Sequence, residues 1–278
     1  MQTPTTHDGM MPATLYDSRR NRGYDDLRRA LANPRLIWLL AFRDIQARYR
    51  RSMLGPFWIT ISMTGTVLGM SFVFSTIMNR GYDDYVPYLA VGMALWAMIS
   101  GIVAEGANSL IQAAPMVKYT TQPLATHMFR HQLHQLIFFA HNIVPGLVLC
   151  LLLGKTGIAG IAASLAGLLL TFVAVSSIGF FAALVSARFR DIPQIATNLM
   201  QVFFFLTPII WPLGAIGDRT YVLDFNPFYS MVTIVREPLL GVWPPAHAWF
   251  VVGAIAVFGW LAVAAAYERI FDRLSKWV

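Results

Sequence analysis

The chain has 278 residues, of which 56% are hydrophobic and only 13% are charged, with a mean hydropathy of +0.56. A soluble globular protein carries about 25% charged residues, so this composition excludes a soluble enzyme with a greasy core and predicts an integral membrane protein. The net charge of +7 is not a nucleic-acid signal, because the pattern of the basic residues along the chain accounts for it.

Residues 1–33 are polar, lack a continuous apolar run and predict a flexible cytoplasmic arm with no cleavable signal peptide. Pro34 to Trp58, PRLIWLLAFRDIQARYRRSMLGPFW, predicts an amphipathic interface helix over 34–54 that lies on the membrane surface. Asn33 can cap it and Pro34 suits its first turn. Trp38, Phe42, Ile45 and Tyr49 fall four, three and four apart, on one face. Arg43, Asp44, Gln46, Arg50 and Arg51 crowd the other sides. Gly55-Pro56 breaks the chain before the first span.

A membrane span needs about 20 mostly apolar residues, and six segments read as spans: 57–78, 86–109, 133–153, 157–187, 195–211 and 248–267. The fourth is long and the fifth is short, bounded by Pro193 and Pro212. Seventeen of the 21 basic residues precede the first span, follow the sixth, or lie in the loops after the second and fourth. Only Arg80, Lys155, Arg219 and Arg236 fall on the other side. The positive-inside rule then puts both termini in the cytoplasm. Residues 34–278 thus read as one transmembrane domain.

Three motifs could carry chemistry. Gly154-Lys155-Thr156 mimics the end of a phosphate-binding loop, but the first glycine that loop requires is replaced by Leu149, and no strand precedes it. It reads as a hairpin between spans. His127, His131 and His134 share one helical face and His141 lies deeper, yet no carboxylate or cysteine nearby in sequence completes a metal set. Glu105 lies near the end of the second span, where an acid is a weaker sign of proton coupling than one at mid-depth. The single cysteine, Cys150, forms no internal disulfide. With so few ionisable residues at mid-depth, an ion-driven carrier is disfavoured, and any uphill work calls for energy from another subunit.

Between the fifth and sixth spans, Pro212 to His247 is apolar and broken by prolines. It predicts re-entrant external helices buried in protein or lining a water-filled path, with a short helix at 228–236 opened by Asn226-Pro227. Phe203, Phe204, Phe205, Trp211, Tyr221, Phe225, Phe228, Tyr229 and Trp243 gather at this end and could stack on sugar faces.

RDIQARYRRSMLGPFW at Arg43–Trp58 resembles the interface helix and first-span entry of type-2 ABC exporter permeases, in the branch that exports lipid-linked polysaccharides such as O-antigen. FRHQLHQLIFFAHNIV at Phe129–Val144, RFRDIPQIATNLMQVFFFLTPIIWP at Arg188–Pro212 and NPFYSMVTIVREPLLG at Asn226–Gly241 are similar to the same branch. The resemblance runs from about Leu36 to the C-terminus and leaves the N-terminal arm uncovered. It implies a non-enzymatic half-transporter in the inner membrane, working as two copies, each docked on a cytoplasmic ATPase subunit that binds ATP and Mg. It implies no cofactor or metal in this chain and no nucleic-acid partner. By the same resemblance, Arg43, Asp44, Arg48, Arg50 and Arg51 face the ATPase, together with Lys118 and Tyr119 in the loop 112–130 and with Arg188, Arg190 and Asp191. Phe57, Trp58, Trp96, Glu105, Phe204 and Trp211 are its channel candidates, and Asn226, Pro227, Phe228, Tyr229, Arg236 and Glu237 its external gate. The alternatives are an ABC permease for small molecules and a membrane-embedded enzyme of lipid-linked sugar assembly, which would need Glu105, His134 or His141.

Overall fold

The structure is a computed structural model that describes residues 22–117, 122–214 and 223–277. Within them the chain is helical, with no strand. Lys118, Tyr119 and Tyr221, which the sequence singles out, and residues 1–21 of the expected arm lie outside the described residues.

Residues Arg22–Leu31, at the end of that arm, form α1, a helix docked on the bundle. Helix α2 spans Pro34–Tyr49 and stops short of the expected 54, because 50–56 form turns in which Gly55 adopts φ +55 and donates its N–H to Ser52 Oγ. The apolar stripe divides. Ile37, Ala41 and Ile45 are buried, on a helix that packs on α6, while Trp38 and Phe42 stack on each other on an exposed side.

Helix α3 covers Phe57–Ile77 and α4 covers Tyr82–Ser100. From α4 the chain continues without a break through a π-helical turn at Gly101–Glu105 and a 3-10 turn at Gly106–Asn108 into α5, Ser109–Val117. The second span therefore runs from Tyr82 to Met116, longer than 86–109 at both ends. Helices α6, Leu124–Asn142, and α7, Val144–Leu152, form the third span, which begins nine residues before the expected 133. The junction has a clear cause. Pro145 has no N–H for the carbonyl of His141, and Thr60 of α3 donates to that oxygen instead, at 3.1 Å. Helix α8 spans Ile158–Arg188 and α11 spans Ala246–Trp277.

Among the described residues, five helices are thus long and apolar enough to cross a membrane. The expected fifth span, 195–211, is α9 at Ile192–Leu206, which has only 15 residues, or about 22 Å at the helical rise, against a hydrocarbon core of about 30 Å. Helix α10, Pro227–Leu239, packs on α8, α11 and α4 and is buried over most of its length.

Close approach by small residues holds α10 to α8. Gly160, Ser164, Gly167 and Thr171 line one face of α8. Ser164 Oγ donates to Val235 O at 2.8 Å and Thr171 Oγ1 to Met231 O at 3.1 Å. A Cβ on Gly167 would lie 2.3 Å from Ile234 O, the carbonyl that Pro238 leaves without its helical donor. A Cβ on Gly160 would lie 2.5 Å from Pro238 O. Small residues that admit a neighbouring backbone are the usual glue between apolar helices in lipid.

At one end of the bundle, here termed the base, α1, the start of α6, and the C-terminal parts of α8 and α11 share an apolar cluster including Leu27, Leu124, Phe180 and Tyr267. The loops after α3 and α7 lie at the far end, where Lys155 Nζ meets Asp84 Oδ1 at 2.6 Å.

Candidate functional site: a groove and a basal crevice

Two openings meet at Glu105. The first is a groove of about 650 Å³ between α4, the π-turn and α9, lined by residues that include Trp96, Ser100, Glu105, Thr197, Gln201, Phe204 and Phe205. The second is a polar crevice of about 550 Å³ at the base, between α2, α5 and α6, whose lining includes Asp44, Arg48, Glu105, Asn108, Arg130 and His134.

The π-turn aims Glu105. Adding one residue to a turn shifts the side chains that follow around the helix, and the turn fits here because its neighbours are small. A Cβ on Gly179 of α8 would come within 2.5 Å of Ile102 O, and one on Gly101 would strike the Gln135 amide at 2.5 Å. Gln135 of α6 donates to Glu105 Oε2 at 2.8 Å. His131 Nε2 lies 3.2 Å from Gly101 O, and Gln132 Nε2 donates to Ser176 O at 3.1 Å. The polar face of α6, which reads as loop by hydropathy, is therefore packed against α8 and the π-turn.

Three channel candidates, Trp96, Glu105 and Phe204, come together in the groove. Trp96 is 7% exposed and wedged between Phe204 at 5.9 Å and Phe228 at 5.8 Å, so its ring is mostly core. Phe57 and Trp58 are exposed at the start of α3 and are not part of the groove. Trp211 lies beyond the end of α9, with its indole N–H on Phe205 O at 3.0 Å. Gln201 and Thr197 were not singled out, whereas Phe205 is among the aromatics that could stack on sugar faces. The signal for all three is a spacing of four along α9, 197–201–205, which puts them on one face.

In the crevice, Arg130 grips Asp44 with two bonds, Nε to Oδ2 at 2.5 Å and Nη2 to Oδ1, and so ties α6 to α2. Arg48 lies over the Phe138 ring at 5.2 Å. Arg43, Arg50 and Arg51 are exposed. Arg188 lies 5.5 Å from the Trp277 ring, Arg190 Nη2 donates to Trp277 O at 2.9 Å, and Asp191 is exposed just before α9. All of these residues stand at the base.

The segment expected to form a gate is tightly bonded. Asn226 Oδ1 accepts from Phe228 N at 3.0 Å and Tyr229 N at 3.4 Å, capping α10, and its Nδ2 donates to Thr207 Oγ1 at 2.9 Å. Pro227 occupies the first helical position. Arg236 is 1% exposed, stacked over Tyr88 with its guanidinium carbon 4.0 Å from the ring centre, and its Nη1 donates to Pro208 O at 2.7 Å. Glu237 is half-buried, and burial raises its carboxyl above the usual range while Arg236 opposes the rise.

Among the described residues no group of three His, Cys, Asp or Glu side chains is placed to hold a metal. His134 packs on Phe138 at 4.6 Å, and His141 Nδ1 lies 3.0 Å from Ile137 O. Lys155 and Thr156 of the false phosphate loop serve as ties, the first to Asp84 and the second to Pro238 O at 3.1 Å.

Residues 35–240 match the ABC-2 type transporter family. The chain belongs to that family. It is a multi-pass membrane protein, with five helices among the described residues that are long and apolar enough to cross a membrane. It is similar to the O-antigen export system permease protein of Myxococcus xanthus, 26% identical over 251 residues, covering 87% of this chain and 94% of that protein. An O-antigen export system permease protein of Klebsiella pneumoniae is 23% identical, over 73% of this chain and 79% of its own. The polysialic acid transport protein of Escherichia coli is 22% identical, over 72% and 80%.

Proposed function

We propose that this chain is the permease subunit of an ATP-driven exporter that passes a lipid-linked polysaccharide, O-antigen-like in kind, across the inner membrane. The observation that carries the reading is the similarity to an export permease over nearly the full length of both chains. The groove supports it, since Trp96, Phe204 and Phe205 offer rings and Ser100, Thr197 and Gln201 offer hydrogen-bonding groups beside them. Sugar faces accept such surfaces without sequence demands. The groove is open along one side, as half of a two-copy channel would be. Helix α3 buries the smallest share of the five spans and exposes Ser62, Thr66 and Gly69 on one face, a surface suited to a second copy.

In this reading the base is cytoplasmic, as are both termini, which agrees with the basic residues gathered there. Helix α2 lies in the headgroup layer on Trp38 and Phe42, and Arg43, Arg48, Arg50, Arg51, Arg188, Arg190 and Asp191 face the ATPase, with Lys118 and Tyr119 in the coupling loop. ATP and Mg are bound by that partner. Helix α10 is the re-entrant external gate, hinged at Asn226.

The test is co-expression with a candidate ABC ATPase from the same genome, followed by ATP hydrolysis in lipid. The expected result is a two-plus-two complex whose turnover depends on this chain and falls in Arg50→Glu. A chain that purifies alone, binds no ATPase and turns over a lipid-linked sugar overturns the proposal in favour of a membrane enzyme.

A further inference from the structure

Helices α1 and α11 lie wholly outside the residues that match the family. They meet at the base around the start of α6, and one side chain joins all three. Helix α6 begins with a proline at its cap position: Pro123, at φ −56 and ψ 136, has no side-chain oxygen to offer the first amides. Those amides have no partner inside the helix. Asp26 of α1 supplies the missing cap from outside. Its Oδ1 accepts from Leu124 N at 3.0 Å and its Oδ2 from Ala125 N at 2.9 Å. The same Oδ2 accepts the Tyr267 hydroxyl of α11 at 2.6 Å. A carboxylate at a helix N-terminus is also favoured by the helix dipole.

The rest of α1 is shaped to deliver that carboxylate. A Cβ on Gly23 would lie 2.9 Å from Glu268 Cα, so only glycine allows the two backbones this close. Tyr24 N donates to Glu268 Oε2 at 2.9 Å, and Arg22 pairs with Asp272 at 3.5 Å. Leu27 and Ala30 are buried in the cluster with Leu124, Ala125 and Tyr267.

We infer that Asp26 is a positioning residue for coupling. It binds the entry of α6 to α11, so that a push on the base from the ATPase moves α6 and α11 together rather than fraying the first turn of α6. The inference rests on the reading above, in which the ATPase docks at the base. Its difference from a plain helix cap is that the tie to α11 matters, and not only the two satisfied amides.

The experiment uses the full chain in lipid nanodiscs, alone and with its ATPase, as wild type, as Asp26→Ala, and as Asp26→Ala combined with Pro123→Asp. The last variant gives α6 a cap of its own. In Asp26→Ala, amide exchange over residues 124–128 should speed up about five- to thirty-fold while α8 and α10 are unchanged. The complex should still form, with ATPase stimulation down about two- to thirty-fold. In the double variant, protection of α6 should return and stimulation should not. Return of both means that any cap suffices and overturns the inference, as does unchanged exchange in Asp26→Ala. A wild-type chain that stimulates no ATPase refutes the transporter reading and the coupling role with it, a result told apart by its presence before any substitution.

Discussion

Replacing Gly167 with alanine tests the contact that seats α10. The new Cβ would lie 2.3 Å from Ile234 O and 2.9 Å from its carbon, where ordinary contact begins at 3.4 Å. Both atoms are backbone, so relief requires α10 to retreat by about 1 Å, not a side chain to rotate. Overpacking of this kind costs about 1–3 kcal/mol. The retreat also stretches the flanking Ser164–Val235 and Thr171–Met231 bonds, each worth about 0.6 kcal/mol in a membrane bundle. Alanine returns about 1 kcal/mol through helix propensity, leaving a net loss of about 1–3 kcal/mol. Gly253 of α11 is the internal control, because a Cβ there meets nothing within 4 Å. The propensity gain is common to both positions, so the two alanine variants should differ by about 2–4 kcal/mol. Equilibrium unfolding in mixed micelles reads the difference. Equal stability of Gly167→Ala and Gly253→Ala would refute the close-packed seat.

Four further outcomes follow from the same geometry. The Asp44–Arg130 pair is 31% and 22% exposed, so a double-mutant cycle with alanine at each should give a coupling energy of about 1–2 kcal/mol, and additive single effects would show that the pair does not hold α2. Thr60→Val should cost about 1 kcal/mol in wild type and nothing in Pro145→Ala, where the restored N–H serves His141 O; an equal cost in both backgrounds removes the explanation of the α6–α7 junction. Phe204→Ala should slow polymer export about fivefold through the loss of one aromatic contact, whereas Phe250→Ala, on the exposed side of α11, should not; equal rates in both would show that the groove does not carry sugar. Glu237, at the end of α10 and outside the five spans, holds its proton more tightly when folded. Stability should therefore fall as pH rises above the ordinary 4.5 and stop falling once pH passes the raised folded value; Glu237→Gln should abolish that slope in melting curves, and a slope that survives would assign it elsewhere.

The spans were legible because apolar runs end at prolines, glycines and charges: α3 begins at Phe57, directly after Gly55-Pro56, as expected. Hydropathy misjudged the ends where polar residues are paired within the bundle. The third span begins at Leu124 because His131, Gln132 and Gln135 bond to Gly101, Ser176 and Glu105. The second begins at Tyr82 because Asp83 and Asp84 suit a helix N-terminus and Lys155 answers Asp84. On α2 a period of 3.6 finds an apolar stripe but cannot divide it between protein and lipid, so Ile45 faces α6 and Trp38 does not. Glu105 stood out as a lone acid in an apolar run, while its partner Gln135 lies 30 residues away and carries no local mark. Asp26 was hidden for the same reason, 98 residues from the amide it caps.

The shortness of α9 and the burial of Arg236 have one explanation. Helix α9 ends at Leu206, and Asn226, just before α10, bonds back to Thr207, so the two helices begin and end at one level. α10 runs antiparallel to α8, from Thr171 toward Gly160, and so out to the far end. A 15-residue and a 13-residue helix, about 22 and 20 Å long, therefore follow one another from the base toward the far end. Between them Pro208–Trp211 is not helical, and bare carbonyls inside an apolar bundle are costly. Three of the four find a donor on a neighbouring helix. Arg236 serves Pro208 O, the Tyr88 hydroxyl lies 2.8 Å from Pro208 O and 2.9 Å from Trp211 O, and Tyr85 donates to Ile210 O at 2.8 Å. Gly92 leaves the room, since a Cβ there would lie 3.3 Å from Arg236 Nη1. Two tyrosines on α4 and one arginine on α10 thus stabilise a broken backbone that a continuous helix would not need.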